Sequence, residues 1–157
     1  VATHSLLEAM RTGGASRLVF SSSCATYGIS QTGYFTEADV QAPINVYGRT
    51  KLYAENLIRD YCDAYGFSAF CLRYFNVGGA DPDGEMGENH EPETHLIPRI
   101  FQNLNNFTLY GDDYETPDGT CIRDFIHVSD VADAHVASAE YLLKNQKSDI
   151  FNIFVDY

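Results

Sequence analysis

Positive charge is scarce in this sequence. Lysine and arginine total 10 residues against 22 aspartate and glutamate residues, which gives a formal net charge of −12 at pH 7. Such a charge repels nucleic acid and anionic membranes, so we expect neither as a general partner. A phosphate-bearing ligand would need a local group of arginines and backbone N–H groups.

Cysteines, metal motifs and long apolar runs are also scarce. The four cysteines form no C-x-x-C pair and no zinc spacing, so we expect reduced thiols in a cytoplasmic protein and no metal. The acidic stretch from Asp81 to Glu85 does not fit a calcium loop, because Met86 stands where that loop needs glycine. No apolar run is long enough to span a bilayer, which indicates a soluble protein. The cysteines are Cys24, Cys62, Cys71 and Cys121.

The 157 residues, 45% of them hydrophobic, provide one domain's worth of chain with a sizeable core. Helical and strand patterns alternate along it, which predicts an α/β fold with a doubly wound, Rossmann-like parallel sheet. Helices are predicted over 2–12, 46–65 and 95–104, with a last one capped by Ser129 and carrying an apolar stripe of Ala132, Val136, Ala139 and Leu143. Strands are predicted over 17–20, 67–72, 107–110, 121–128 and 150–153.

Polar residues follow two of the predicted strands. Ser21, Ser22 and Ser23 come directly after the strand 17–20, and Tyr74 and Asn76 follow the strand 67–72. In a parallel sheet these strand ends meet at one edge, which is where ligands bind. A candidate site is therefore predicted there.

Tyr47 and Lys51 lie on the helix that connects these two strands. Residues four apart on a helix share one face. An ammonium group near a phenol favours the ionised phenolate, so this tyrosine could exchange protons near neutral pH. By itself the Tyr-x-x-x-Lys pattern is common on helices, but its place between the two strands is that of a working site.

Six motifs carry a resemblance to a known family. In order along the chain they are Ser21–Gly28 (SSSCATYG), Tyr47–Lys51 (YGRTK), Arg73–Asn76 (RYFN), Gly79–Glu85 (GADPDGE), Glu93–Pro98 (ETHLIP) and Asp118–Asp124 (DGTCIRD). Together they resemble the nucleotide-sugar 4-epimerases of the extended short-chain dehydrogenase/reductase family, the NAD-dependent epimerases and dehydratases. The first two motifs are general to the larger family, and the later ones are more specific to the epimerases.

The resemblance implies a bound NAD, a UDP-sugar substrate and interconversion of UDP-galactose and UDP-glucose through a 4-keto sugar. Tyr47 would take the proton of the 4-hydroxyl while NAD takes the hydride. Lys51 would hold the nicotinamide ribose, and Ser23 would hydrogen-bond the reacting oxygen. Other NAD contacts are implied at Ser21, Ser22 and Tyr74. Substrate contacts are implied at Ser23, Cys24, Ala25, Thr26, Asn76, His95, Leu96 and Arg123.

Several of these residues have an alternative structural role. Tyr74 can be a core aromatic residue, and Thr26 and Tyr27 can pack the loop instead of lining the sugar pocket. His95 is expected to contribute backbone contacts at a helix N-terminus. The guanidinium group of Arg123 has paired N–H donors that suit a pyrophosphate, but Arg123 can also form an ion pair with Asp124.

Three alternative functions remain at this point. A UDP-pentose 4-epimerase shares most of the motifs, and a non-catalytic nucleotide-sugar-binding remnant is possible. A 4,6-dehydratase fits poorly, because it needs an acid–base pair where this chain has Cys24 and Ala25.

The family's Gly-rich phosphate turn is not in this sequence, since Gly13 and Gly14 follow a helix instead of opening one. We therefore expect an internal piece of an enzyme that is inactive alone and a homodimer at full length. Residues 1–76 would belong to the NAD-binding domain, and residues 77–157 to a nucleotide-sugar-binding region interleaved with late elements of that domain.

Overall fold

The computed structural model describes residues 2–30 and 32–155. Ten elements follow one another: α1 (Ala2–Gly13), β1 (Arg17–Ser21), a 3-10 turn (Cys24–Thr26), α2 (Val46–Tyr65), β2 (Ser68–Tyr74), β3 (Asn76–Gly78), α3 (Leu96–Gln102), β4 (Phe125–His127), α4 (Val128–Lys144) and β5 (Asp149–Ile153).

A three-stranded parallel sheet forms the centre of the fold, in the order β1-β2-β5. The six residues from Ser68 to Arg73 on its middle strand are all buried, which confirms the prediction of a strand covered on both faces. Side chains alternate between the two faces of a strand, so neighbouring residues of β2 pack on opposite sides of the sheet. Ala69 and Cys71 join a core cluster with α1 and α2, whereas Phe70 stacks on Tyr141 of α4. Helices thus cover both faces, as a doubly wound fold requires.

Helix α2 has the predicted bounds. The Asn45 side chain accepts a hydrogen bond from the Gly48 N–H at 2.7 Å and so caps its first turn. Gly66 ends the helix in the left-handed conformation (φ 69°) that glycine adopts without strain. Ala54, Ile58 and Tyr61 turn inward at helical spacing and hold the helix on the sheet. Both ends of the helix are therefore fixed and one face is packed on the sheet, which positions Tyr47 and Lys51.

The predicted apolar stripe of the last helix is wrong by one position. The residues that α4 buries are Val131, Ser138 and Leu142, whereas Val136 and Leu143 are exposed. Two polar side chains, His135 and Ser138, lie on the inward face, so apolar spacing alone selected the wrong side. The cap is also different: helix α4 begins at Val128, and the His127 ring accepts the Ser129 N–H.

The region between α3 and α4 contains less strand than the sequence pattern suggests. Residues 107–110 form no strand, and Leu109 and Tyr110 are exposed. Of the predicted strand 121–128 only Phe125–His127 pairs, and its partner is the short strand β3, which lies in a stretch predicted to be loop from residue 77 onward. An apolar run becomes a strand only where another strand is available to accept its hydrogen bonds.

None of the helices in residues 2–30 and 32–155 combines the length and the apolar character that crossing a membrane requires.

Candidate active site at the carboxyl edge of the sheet

The carboxyl ends of β1 and β2 lie side by side, because the two strands are parallel and Ser21 pairs with Leu72. The chain leaves β1 through Ser22 and Ser23, and it leaves β2 through Tyr74 and Phe75. The polar residues predicted to form a site are therefore brought to one edge, as expected for this fold.

Lys51 is fixed to the end of β1. Its Nζ donates a hydrogen bond to the Ser21 carbonyl oxygen at 2.8 Å and lies 5.1 Å from the centre of the Phe20 ring. The same Nζ lies 5.7 Å from the centre of the Tyr47 ring, one helical turn away. Tyr47 is 54% exposed, so its ring faces out of the protein beside a fixed ammonium group.

The turn that carries Ser23 packs directly on the first turn of α2. A Cβ atom on Gly48 would lie 2.2 Å from the Ala25 carbonyl oxygen, so only glycine allows this approach. The Ser23 Oγ accepts the Ala25 N–H at 3.1 Å, which leaves the hydroxyl hydrogen free to be donated elsewhere. The close contact packs the turn that follows Ser23 against the first turn of α2, which carries Tyr47.

The other residues of this turn that were predicted to contact the substrate are mostly buried inside the protein. Cys24 and Thr26 are 2% and 0% exposed, and Thr26 donates its hydroxyl to the Ser23 carbonyl. Burial raises the pKa of the Cys24 thiol to about 12, so it stays a neutral thiol. Tyr27 is buried too, which supports the loop-packing alternative. Of the four residues 23–26, only Ala25 is half-buried, and Ser23 is buried with 7% exposure.

A buried ion pair lies beneath the site. Arg73 on β2 donates from two nitrogens to Glu55 on α2, at 3.0 and 2.6 Å, and from a third to the Tyr27 hydroxyl at 2.6 Å. Glu55 also accepts hydrogen bonds from Ser22 Oγ and, at 2.9 Å, from Gln41. Ser22 is thus part of a buried network, and its hydroxyl does not face a ligand. Sequence reasoning missed Glu55, although it follows Lys51 by one helical turn on the same face.

The charge of Glu55 depends on this network. Burial by itself raises the pKa of its carboxyl group, but hydrogen bonds from Arg73, Ser22 and Gln41 outweigh burial and leave the pKa below its ordinary value. A carboxyl group whose pKa is lowered by folding stabilises the fold above its unfolded pKa. That contribution is lost as the pH falls through the lower, folded pKa.

We expect Glu55→Ala to lower the free energy of unfolding by about 3–5 kcal/mol, because it leaves the buried Arg73 guanidinium without its carboxylate. Urea unfolding of the protein that carries this chain measures the change. Asp60→Ala, at an exposed position on the same helix, is the matched control and should have little effect. Equal stability of Glu55→Ala and the control variant would contradict the assigned role of the ion pair.

His135 is a second residue that the sequence pattern did not reveal. Its Nδ1 donates to the Val131 carbonyl at 2.7 Å, so Nε2 is the acceptor for the Ser21 hydroxyl, also at 2.7 Å. Its ring lies 6.2 Å from that of Tyr74. The half-buried Tyr74 therefore stands between the core and the edge, beside a serine whose orientation His135 fixes.

A cleft of about 760 Å³ begins where β2 ends. Its wall includes Asn76, His95 and Leu96, three of the residues predicted to contact the substrate. Both backbone groups of His95 are already engaged, since its N–H donates to Glu93 and its carbonyl accepts the Arg99 N–H. A ligand contact from His95 would therefore come from its ring, and not from the backbone contacts expected.

Arg123 is not among the residues that line the cleft, but its chain neighbour Asp124 accepts hydrogen bonds from the backbone and side chain of Asn76 through its carbonyl oxygen. Arg123 is exposed, and within residues 2–30 and 32–155 it forms no ion pair with Asp124. Both carboxylate oxygens of Asp124 are buried and find no hydrogen-bond partner among the described residues. The structural ion pair considered as an alternative is thus not formed, and the Arg123 guanidinium remains accessible.

This fold and site define a family. The model of the NAD-dependent epimerase/dehydratase family matches residues 1–153, and the chain belongs to that family. It is 49% identical over 158 residues to a UDP-glucose 4-epimerase from Rhizobium leguminosarum bv. trifolii, covering 98% of this chain and 48% of that relative. The chain thus spans about half the length of the curated relatives it matches.

Solved structures show the same relation. A UDP-glucose 4-epimerase from Brucella ovis in complex with NAD superimposes with a TM-score of 0.91 and 52% identity, over 97% of this chain and 48% of that one. A UDP-glucose 4-epimerase from Bifidobacterium longum, in complex with NAD+ and UDP, gives a TM-score of 0.83 and 34% identity, over 97% of this chain and 47% of that one. The predicted family and fold class are confirmed.

Proposed function

We propose that this chain supplies the catalytic residues of a UDP-glucose 4-epimerase, which interconverts UDP-galactose and UDP-glucose through a 4-keto sugar. The observation that carries the proposal is the fixed arrangement at the end of β1, where the Lys51 ammonium group donates a hydrogen bond to the Ser21 carbonyl. Tyr47 lies one turn from Lys51, and Ser23 is on the adjoining turn. Family membership gives this arrangement its chemistry.

Tyr47 is the proposed acid–base group. Its exposed ring can reach a sugar hydroxyl in the open space above the sheet edge, and the Lys51 Nζ lies 5.7 Å from the centre of the ring. The Ser23 hydroxyl can donate a hydrogen bond to the same reacting oxygen, since its own oxygen is held by the Ala25 N–H. This donor stabilises the charge that develops on the oxygen.

NAD is the proposed cofactor, and the residues at the sheet edge fit it. Lys51 donates one hydrogen bond to Ser21 and has further N–H donors for ribose hydroxyls, while the half-buried Tyr74 offers a flat ring beside the edge. Bound there, NAD supplies the acceptor and donor of the sugar C4 hydride. Ser21 acts indirectly, by holding Lys51 through its carbonyl.

The nucleotide part of the substrate is assigned to the cleft and its rim. Asn76, His95 and Leu96 line a space that adjoins the end of β2, and its volume of about 760 Å³ is in the range of small-molecule sites. Arg123 is the proposed pyrophosphate contact, because its accessible guanidinium offers paired donors in a chain with a net charge of −12.

Arg123→Ala should weaken UDP binding by about 1.5–3 kcal/mol, the usual contribution of a hydrogen bond to a charged group. The loss should be similar for free UDP and for UDP-galactose, since both carry the pyrophosphate. Calorimetric titration measures it, with Arg59→Ala on the outer face of α2 as the control. Unchanged UDP affinity together with reduced stability would assign Arg123 a structural role.

Domain limits, assembly and location are further parts of the proposal. Residues 1–76 would belong to the NAD-binding domain, and residues 77–157 to the nucleotide-sugar region, with α4 and β5 returning to the sheet. A cytoplasmic homodimer acting in galactose metabolism is the form that the family resemblance implies. Sedimentation equilibrium of the protein at its full length tests the dimer.

A chimera provides the direct test of the function. Residues 2–155 replace the matching segment of the Rhizobium leguminosarum relative, and the purified chimera is assayed with UDP-galactose and with UDP-arabinose. Turnover of UDP-galactose is expected. A clear preference for UDP-arabinose would favour the UDP-pentose alternative, and a folded chimera that retains NAD without any turnover would indicate a non-catalytic remnant.

A further inference from the structure

Two glutamates and two histidines converge in the long loop before α3. The sequence places them as two Glu-x-His pairs, Glu88-Asn89-His90 and Glu93-Thr94-His95. One ligand atom from each of these four side chains, the Glu–His cluster, lies within 4.8 Å of all the others. No such grouping was expected from the spacing of cysteines and acidic residues, because it contains no cysteine.

The distances within the Glu–His cluster match those around a four-coordinate metal. His90 Nδ1 lies 3.3 Å from Glu88 Oε1 and 3.6 Å from Glu93 Oε2, and His95 Nδ1 lies 3.5 Å from Glu93 Oε1. His95 Nδ1 also contacts Glu88 Oε1. Zinc bonds to nitrogen and oxygen of about 2.0–2.2 Å give a tetrahedron with edges of roughly 3.3–3.6 Å. Three of the four contacts fall within that range, and two of them reach different oxygens of Glu93, so this carboxylate would offer the ion either Oε2 or both oxygens.

Glu93 is the buried member of the Glu–His cluster. Its side chain is only 3% exposed, yet its carboxylate faces both histidines. The backbone N–H groups of Thr94 and His95 each donate to its Oε1 at 2.7 Å, so Oε2 remains available. Backbone support of this kind orients metal-binding carboxylates.

We propose that the Glu–His cluster binds one divalent transition-metal ion of the zinc type. Two imidazoles and two carboxylates are ligands that such an ion accepts, whereas Mg²⁺ and Ca²⁺ prefer oxygen alone. Four protein ligands leave no open position, so the role of the ion is structural. It joins the two ends of the segment 88–95, and Glu88 and His95 both line the proposed nucleotide cleft. The ion therefore fixes one wall of that cleft.

Metal titration tests the proposal. The protein that carries this chain is purified at its full length without a histidine tag, treated with a chelator, and titrated with Zn²⁺ against a chromophoric competitor. One Zn²⁺ should bind per chain, and neither Mg²⁺ nor Ca²⁺ should displace it. Co²⁺ as a spectroscopic substitute should give the intense visible absorption of a four-coordinate site, without the thiolate charge-transfer band that a cysteine ligand would add.

Variants within the cluster decide where the ion binds. His90→Asn and Glu93→Gln should each weaken Zn²⁺ binding by more than about 100-fold, since even the loss of a residue that supports a ligand costs 10–100-fold. Glutamine at position 93 can still accept the two backbone N–H groups, so the turn is kept. Glu85→Gln and Cys121→Ser, exposed and outside the cluster, should leave the affinity unchanged.

Two results would overturn the proposal. Equal Zn²⁺ affinity in the His90→Asn and wild-type proteins would place the metal elsewhere. Absence of any Zn²⁺ or Co²⁺ binding in the folded protein would mean that the four side chains form only imidazole–carboxylate contacts.

Discussion

Tyr47→Phe is expected to lower the turnover of UDP-galactose by about 10²–10⁴-fold, the range that a positioned acid–base group contributes. The phenylalanine ring retains the shape of the side chain but has no hydroxyl to carry the proton. Substrate binding should therefore change little. Steady-state and single-turnover kinetics of the enzyme that contains this chain separate the two effects.

Tyr53→Phe is the matched control for this experiment. Tyr53 lies on the same helix but not at the helical spacing that shares a face with Tyr47, and because it is 64% exposed it should tolerate the change. Near-normal turnover in Tyr47→Phe would show that Tyr47 is not the acid–base group. A large rise in KM with unchanged kcat would instead assign it a binding role.

The 157 residues by themselves are expected to retain no NAD and to produce no UDP-glucose from UDP-galactose. In the proposed arrangement, Lys51, Tyr74 and their neighbours would hold only the nicotinamide end of the cofactor. The sequence contains no Gly-rich turn whose backbone N–H groups would bind the pyrophosphate. Without a hydride acceptor, proton transfer at Tyr47, the proposed acid–base group, would lead to no product.

Strand β1 adds a second reason for this expectation. It pairs with β2 on one side and is an edge strand of the β1-β2-β5 sheet in the described part of the chain, and exposed edges favour aggregation. Purified residues 1–157 should be analysed for bound NAD and assayed with NAD added. The chimera with the Rhizobium leguminosarum relative is the positive control. Stoichiometric NAD, or turnover by the 157 residues, would contradict our account of how the cofactor is held.

Local sequence determined the elements with complete signals. Helix α2 has a cap at Asn45, an inward stripe and a terminating Gly66, and its predicted bounds are correct. The middle strand was recognisable because its apolar residues are continuous, as burial on both faces demands. The sequence also fixed the order of these elements, and with it the meeting of Ser21–Ser23 and Tyr74 at one edge.

Tertiary contacts decided the elements with incomplete signals. Helix α4 turns His135 inward because Ser21 and the Val131 carbonyl satisfy both of its ring nitrogens, so a polar residue takes a position that apolar spacing assigned to the opposite face. Residues 107–110 have a strand-like composition, but no strand pairs with them. Hydrogen bonds between distant segments are invisible to a local pattern.

For the candidate site, too, the sequence predicted one part and the tertiary structure decided the rest. Sequence alone predicted Tyr47, Lys51 and Ser23 as a group, because helical spacing and strand order place them together, and its motifs identified the family. Only the tertiary structure decided that Lys51 donates a hydrogen bond to the Ser21 carbonyl and that Ser22 supports the Glu55–Arg73 ion pair. It also brought together the four side chains of the Glu–His cluster. Each of these contacts joins residues whose distance depends on how loops and helices pack. That distance is set by the whole fold and not by the spacing of residues along the chain.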